Sequence, residues 1–259
     1  MKYGVAKLSI IPCRSEPADP SEQTSQLLFG EHYKVLEERK KWVRIRNSLD
    51  KYEAWIDRKQ HAEITEEEYK RLDSDRHATC SLELVGLATN VSTKEITPIP
   101  MGSTLPLLKD GSFELGSDHY QFDGQFIHQL SKDKNKIVEN AYMYLNAPYL
   151  WGGRSPFGID CSGFSQIIYK LNGIKLPRDA YQQAEIGITL SFVEEAEPGD
   201  LAFFDNEEGD ITHVGILLED NYIIHSSGKV RVDRIDHQGI FNAEEHDYTH
   251  KLRLIKRIF

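Results

Sequence analysis

Cysteine is scarce in this chain. Three in 259 residues, at Cys13, Cys80 and Cys161, are too few and too scattered for a disulfide framework, and the odd number leaves at least one thiol free. A reducing compartment is the simpler expectation. Basic charge is in deficit as well: 31 Lys and Arg against 41 Asp and Glu give a formal net charge of -10, which argues against the broad basic face that a polyanion binder needs. No nucleic-acid partner is expected, and a small neutral or zwitterionic ligand suits the balance better. Long apolar runs are missing too. No stretch approaches the ~20 residues of a membrane span. The opening "MKYGVAKLSIIPC" lacks the apolar core and small-residue cleavage site of a secretion signal, so no membrane partner and a cytoplasmic location are expected.

What is present changes texture along the chain. Residues 1–60 carry short strand-like runs, "YGVAKLSII", "QLLFGEHYKVLEE", "KWVRIRN" and "YEAWID", in which Val43 and Ile45 alternate with Arg44 and Arg46 at the period of a half-buried antiparallel strand. Residues 61–77 read as a charged linker with one short helix, because Thr65 and Glu68 of "TEEEYKRLD" have capping-box spacing. A second β-rich unit, 78–130, contains "SLELVGLAT" and "SDHYQFDGQFIHQL" with Gly or Pro at its joints.

From residue 131 to 259 the pattern is α+β. "SKDKNKIVENAYMYLN" places Ile137, Ala141 and Leu145 four apart with Val138 beside them, one helix face, and Pro148 ends it. A second helix is predicted from Cys161 to Gly173, with Phe164, Ile167, Ile168 and Leu171 on its apolar face. Beyond Pro198 come strands: "DLAFFD", "ITHVGILLE", "NYIIHSS", "KVRVDRI" and "KLRLIKRI".

The chemistry concentrates in "YLWGGRSPFGIDCSGF", residues 149–164. Cys161 stands at the predicted start of a helix, where unpaired N–H groups and the positive end of the dipole favour a thiolate and lower a thiol pKa of ~8.5. The same N–H groups suit an oxyanion. Gly152, Gly153 and Gly158 let the backbone approach a substrate closely. A nucleophilic thiol needs a base, and His213 and His225 lie on successive strands whose midpoint, residue 219, falls inside the intervening turn. An unbulged hairpin would oppose them directly on one face, ~5 Å apart, so that one imidazole orients the other. A lone helix-start cysteine or strand histidine is ordinarily structural. The pairing and the glycine-rich context set these three apart, whereas Cys13 and Cys80 keep the structural reading.

Other signals fall away. "GGRSPFG" lacks the Lys-Ser/Thr of a phosphate loop. "DNEEGD" lacks calcium-loop spacing and reads as a solvated turn. His246 and His250 are four apart without a Cys or Glu partner at zinc spacing. No metal and no cofactor are expected.

In order, "YLWGG", "DCSGF", "LPRDAYQQ", "PGDLAFF" and "THVGILL" resemble the motifs of the NlpC-type cell-wall peptidases, papain-like cysteine enzymes, over about residues 136–255. "EHYKVLEERKKWVRIRNSLDKYEAWID" resembles the bacterial SH3-like domains often joined to them, and the second β unit does so more distantly. The resemblance implies a multidomain fold, two small all-β SH3-like barrels followed by an α+β papain-like cysteine peptidase domain. It implies Cys161 as nucleophile, His213 as base, His225 as orienter, and Tyr149 at the oxyanion or substrate carbonyl. Relatives with these SH3-like domains cut between γ-D-glutamate and a diamino acid in muropeptides with a free amino-terminal L-alanine. Asp160 matches the position receiving that ammonium, Trp151, Ser162, Arg178 and Asp179 match cleft positions, and Tyr52 and Glu22 would reach the alanine end. Ala180 stands where the family often has serine, which removes one hydroxyl. A non-catalytic wall-binding protein, or an amidase or acyltransferase on the same fold, is the competing reading. Retention of all three catalytic positions favours the peptidase.

Overall fold

The computed structural model describes residues 1–75, 79–127 and 132–259, so the expected junctions at 77–78 and 130–131 lie outside the described residues. The chain forms two compact units, Met1–Ser131 with Trp151–Pro156, and Lys132–Leu150 with Phe157–Phe259.

The first unit begins with seven strands: β1 (Lys2–Val5), β2 (Ile10–Arg14), β3 (Gln23–Leu28), β4 (His32–Glu38), β5 (Trp42–Asn47), β6 (Glu53–Asp57) and β7 (Ala62–Ile64). They pair antiparallel in the order β3-β2-β6-β5-β4-β1-β7. The sheet surrounds Ile11, Cys13, Leu27, Tyr33, Val43, Ile45 and Ile56. The predicted alternation on β5 is realised, with Val43 and Ile45 buried and Arg44 and Arg46 exposed to bond Glu53 of β6.

The charged stretch after β7 is more than a connector. Helix α1 (Glu66–Ser74) is capped by the Thr65 hydroxyl, which accepts the Glu68 N–H at 3.1 Å. Its two apolar residues, Tyr69 and Leu72, three apart on one face, enter a second core with Tyr3, Val5 and Phe29 from the first sheet. That core is completed by β8 (Thr79–Ser81), β9 (Val85–Asn90), β10 (Ile96–Pro100), β11 (Thr104–Leu105), β12 (Ser112–Leu115), β13 (Asp118–Asp123) and β14 (Phe126–Ile127). These strands form a four-stranded sheet, β10-β9-β13-β12, and a three-stranded one, β11-β8-β14. Phe113 stacks on Tyr120 and Phe29 meets both edge-on. Gly30, at φ +78°, allows a close approach: a Cβ there would lie 1.9 Å from the Thr104 carbonyl oxygen. A short strand β15 (Arg154–Ser155) completes this unit.

In the second unit, α2 (Lys134–Met143) buries Ile137 and Ala141 as predicted. It stops before Leu145, which is exposed, because the chain turns at Asn146 with a φ of +68°, ahead of Pro148. After β16 (Gly158–Ile159), helix α3 (Cys161–Leu171) is buried along its whole length. It closes where the sequence indicates: Gly173 has φ +74°, the Gly173 N–H bonds Lys170 O, and the Ile174 N–H bonds Tyr169 O. A single turn, α4 (Ala180–Gln183), follows.

The remaining strands are β17 (Ile188–Leu190), β18 (Leu201–Asp205), β19 (Ile211–Leu217), β20 (Tyr222–Ser227), β21 (Lys229–Ile235), β22 (Gly239–Asn242) and β23 (Asp247–Arg257). They run β17-β23-β18-β19-β20-β21-β22. The long β23 pairs with β22 at one end and β18 at the other, so β18 to β23 close on themselves around Ala202, Phe204, Leu217, Ile223, Ile235 and Ile240. This closure brings β23 to the histidine-bearing strands.

Candidate active site

Asp160 is the N-cap of α3, in extended conformation, and its carboxylate accepts the Gly163 N–H at 2.7 Å. Cys161 is therefore the first helical residue, as expected, and is 8% exposed. Its Sγ lies 4.0 Å from the Thr212 carbonyl oxygen, and the Val214 backbone N–H also bonds it. The Cys161 sulfur thus rests against the backbone on either side of His213.

The thiol pKa moves opposite to the expectation. Burial first, and then the Asp160 carboxylate, push it up to about 12, against the N–H groups of Val214 and Ser162 and the Arg178 cation, which pull it down. His213 is pulled well below the ordinary histidine range by burial, then by its neighbours His225 and His250. In a site this dry both shifts favour the uncharged forms, a thiol at Cys161 and a neutral imidazole at His213.

His213 Nε2 lies 2.8 Å from Nδ1 of His225, and Nε2 of His225 lies 2.9 Å from Oδ2 of Asp233. All three side chains are buried. The two histidines are not directly opposed, however. Gly215, not His213, is the partner of His225, because the hairpin turns about residue 220, where Asp220 and Asn221 both have positive φ. A shift of two residues keeps both imidazoles on one face but makes the contact diagonal. Gly215 clears the way, since a Cβ there would lie 2.9 Å from Cβ of His225. The next step repeats the geometry: His225 is opposite Arg231, and its bond to Asp233 is again diagonal.

Asp233 extends this row, and the sequence alone did not single it out. Burial alone would raise its pKa, but hydrogen bonds from His225 and Arg231 outweigh burial and hold it below the ordinary carboxylate value. An ionised Asp233 only accepts, so His225 donates from Nε2. In the tautomer in which His225 donates from Nε2, its Nδ1 accepts and His213 donates from Nε2. Nδ1 of His213 is left bare, the tautomer a base requires. Nothing local in "KVRVDRI" marks Asp233; only its register with His225 does.

Asp160 also receives Arg178, through NH1 at 3.0 Å and NH2 at 2.5 Å. Arg178, expected to line a cleft, is 1% exposed, with NH1 also 3.0 Å from the Ser162 hydroxyl. Its role here is to neutralise Asp160 beneath the nucleophile. Asp179 caps α4 in a capping box with Gln182, and Gln183 ties that turn to Ser165 and to the Ser162 carbonyl. Tyr149 is 36% exposed; burial, then the charges of Cys161 and Asp160, raise its phenol to about 12, so it remains a donor. In the first unit, the Trp151 indole N–H donates to Glu22 at 2.6 Å, and Tyr52 packs against the first core. Arg154 and Glu31 form a buried bidentate pair at 2.7 and 2.9 Å.

Among the described residues, the ring nitrogens of His213, His225 and His250 lie within 4.8 Å of one another. His250 meets them across the sheet, not along the chain with His246. Two tetrahedral ligands about 2.0–2.1 Å from a zinc ion stand about 3.4 Å apart. The 2.8 Å between His213 and His225 is instead the length of a shared proton. Cys13 and Cys80 are buried and outside any disulfide, and no helix among the described residues is long and apolar enough to cross a membrane.

Residues 146–246 match the NlpC/P60 family, and residues 13–60 match the bacterial dipeptidyl-peptidase Sh3 domain. A Bacillus subtilis protein named gamma-D-glutamyl-L-lysine dipeptidyl-peptidase is 32% identical over 221 residues, 78% of this chain and 71% of the relative. A Bacillus cereus protein of the same name is 28% identical over 226 residues, 78% of this chain and 66% of the relative. The crystal structure of an NlpC/P60 family protein from Bacillus cereus covers 99% of each chain with a TM-score of 0.81 at 20% identity, a shared fold.

Proposed function

The chain belongs to the NlpC/P60 family and is a cysteine peptidase, and from that premise we propose that it hydrolyses the bond between γ-D-glutamate and the diamino acid of peptidoglycan stem peptides bearing a free amino-terminal L-alanine. The observation that carries the reading is the hydrogen-bonded row His213, His225 and Asp233, with Cys161 against the Thr212 carbonyl next to His213, in a chain similar over most of its length to a peptidase of that name. The Cys161 sulfur attacks the γ-glutamyl carbonyl carbon while its proton passes to Nδ1 of His213. Backbone N–H groups at the start of α3 and the Tyr149 phenol hold the oxyanion. His213 returns the proton to the departing amine, leaving a thioester. Water, deprotonated by His213, then releases the dipeptide acid and restores the thiol.

Asp160 is the proposed acceptor of the substrate ammonium. Its pairing with Arg178 supports a site already organised around that carboxylate. Trp151, Ser162, Asp179, Tyr52 and Glu22 are proposed substrate contacts on the family resemblance alone. The same resemblance underlies the division into 1–60, 61–77, 78–130 and 131–259, with the second β unit a divergent SH3-like domain. A role in recycling wall peptides inside the cell completes the proposal, and three cysteines outside any disulfide are consistent with it.

The test is a set of defined peptides with products read by mass. L-Ala-γ-D-Glu-L-Lys and its diaminopimelate counterpart should release L-Ala-γ-D-Glu, and the N-acetylated peptides should be poor substrates. An acetylated end brings no cation to the Asp160 carboxylate, so the contact that selects the free amine is lost. Asp160→Asn should depress kcat/KM for the free amine far more than for the acetylated peptide. Equal rates on both peptides would remove the ammonium from the proposal, and recovery of the native protein from the envelope fraction would remove the intracellular role.

A further inference from the structure

His250 has no part in the mechanism above, yet its ring lies close against that of the base, tilted to it. Its ring centroid is 4.1 Å from that of His213 with 31° between the planes, whereas His225 meets the two rings edge-on at 5.0 and 5.6 Å. Phe204 borders both, at 5.7 Å from His213 and 6.0 Å from His250. The Thr249 hydroxyl lies 2.8 Å from Nδ1 of His250. His213 is therefore held at its Nε2 edge by one imidazole and on one face by another. A ring anchored through a single nitrogen can still tilt about that bond. A second ring against its face removes the tilt.

We propose that His250 is a positioning residue for the base: its ring fixes the plane of the His213 imidazole and keeps Nδ1 turned away from His225. This rests on the reading of Cys161 and His213 as nucleophile and base. The charged or titratable groups facing His250 are His213 on β19, His225 on β20 and Asp233 on β21, while β18 and β22 present Phe204 and Ile240. Burial, then His225, lower its pKa to about 4 against the pull of Asp233, so its ring is neutral through the working range. Protonated, it would set one cation against another.

The experiment compares His250→Ala and His250→Phe with the unmodified chain, using steady-state cleavage of L-Ala-γ-D-Glu-L-Lys and, without substrate, alkylation of Cys161 by iodoacetamide from about pH 4 to pH 9. His250→Ala should lower kcat about tenfold or more with KM within about twofold, and change the pH profile of alkylation. His250→Phe should keep kcat within about threefold at neutral pH and move the acid limb to lower pH, since its ring cannot protonate. If no γ-glutamyl peptide is cleaved by the unmodified chain, the function proposed above fails, and the alkylation profiles alone decide the role of His250. Alkylation and kcat of His250→Ala within about twofold of the unmodified chain at every pH would overturn the proposal. So would a His250→Phe protein as impaired as His250→Ala.

Discussion

Nε2 of His213 lies 2.8 Å from Nδ1 of His225, a diagonal contact across two strands whose direct partners are other residues. Because His225 is in turn bound to Asp233, the proton between the imidazoles belongs to His213, and its other nitrogen is free to act as base.

That order of donors makes Asp233→Asn informative. An amide can donate to Nε2 of His225, which reverses both bonds and puts the proton on Nδ1 of His213. We expect kcat to fall about 10²–10⁴-fold with the fold intact, the cost of a wrong tautomer. Asp233→Ala, which imposes no tautomer, should lose less. An Asn variant as active as the Ala variant would show that the row does not direct the proton.

Cys161→Ala should abolish turnover and leave the urea midpoint close to that of the parent, since little packing is removed. His213→Ala should be nearly as damaging, and His225→Ala milder, because water can partly replace an orienting group. Steady-state rates on one peptide rank the three. A His225 variant slower than the His213 variant would exchange their roles.

Histidines with lowered pKa values make stability depend on pH in a definite sense. His213 and His250 resist protonation in the folded chain but bind protons near 6.5 when unfolded, so the unfolded state takes up protons first as pH falls. Their contribution is fully present above 6.5 and is lost on acidification toward the folded value, about 4 for His250, at no more than about 3 kcal/mol for that residue. Urea midpoints should therefore decline between about pH 6.5 and 5, and His250→Phe should flatten the decline. An unchanged slope in that variant would contradict the assignment.

In the first unit, Arg154→Met leaves Glu31 charged and buried and should cost about 3–5 kcal/mol in urea unfolding. Replacing both residues, as in Arg154→Met with Glu31→Leu, should recover part of the loss, because no lone charge then remains. A single variant within about 1 kcal/mol of the parent would mean that the pair is readily rehydrated.

Local physics made much of this protein legible in its sequence. Capping at Thr65, the alternation on β5, the start of α3 at Cys161 and its end at Gly173 each depend on residues within a few positions, where spacing alone sets the outcome. The pairing of His213 with His225 was legible as a shared face, since any even shift of register preserves it. The diagonal was not, because two positive-φ residues, Asp220 and Asn221, move the turn by one position. Asp233 and His250 reach the base only through the lateral pairing of β20 with β21 and the closure of β22 and β18 onto β23, contacts that no spacing along the chain encodes. The thiol was misjudged for the same reason: a helix terminus is a local feature that lowers its pKa, whereas burial and the neighbouring Asp160 carboxylate raise it, and burial exists only once the chain has folded.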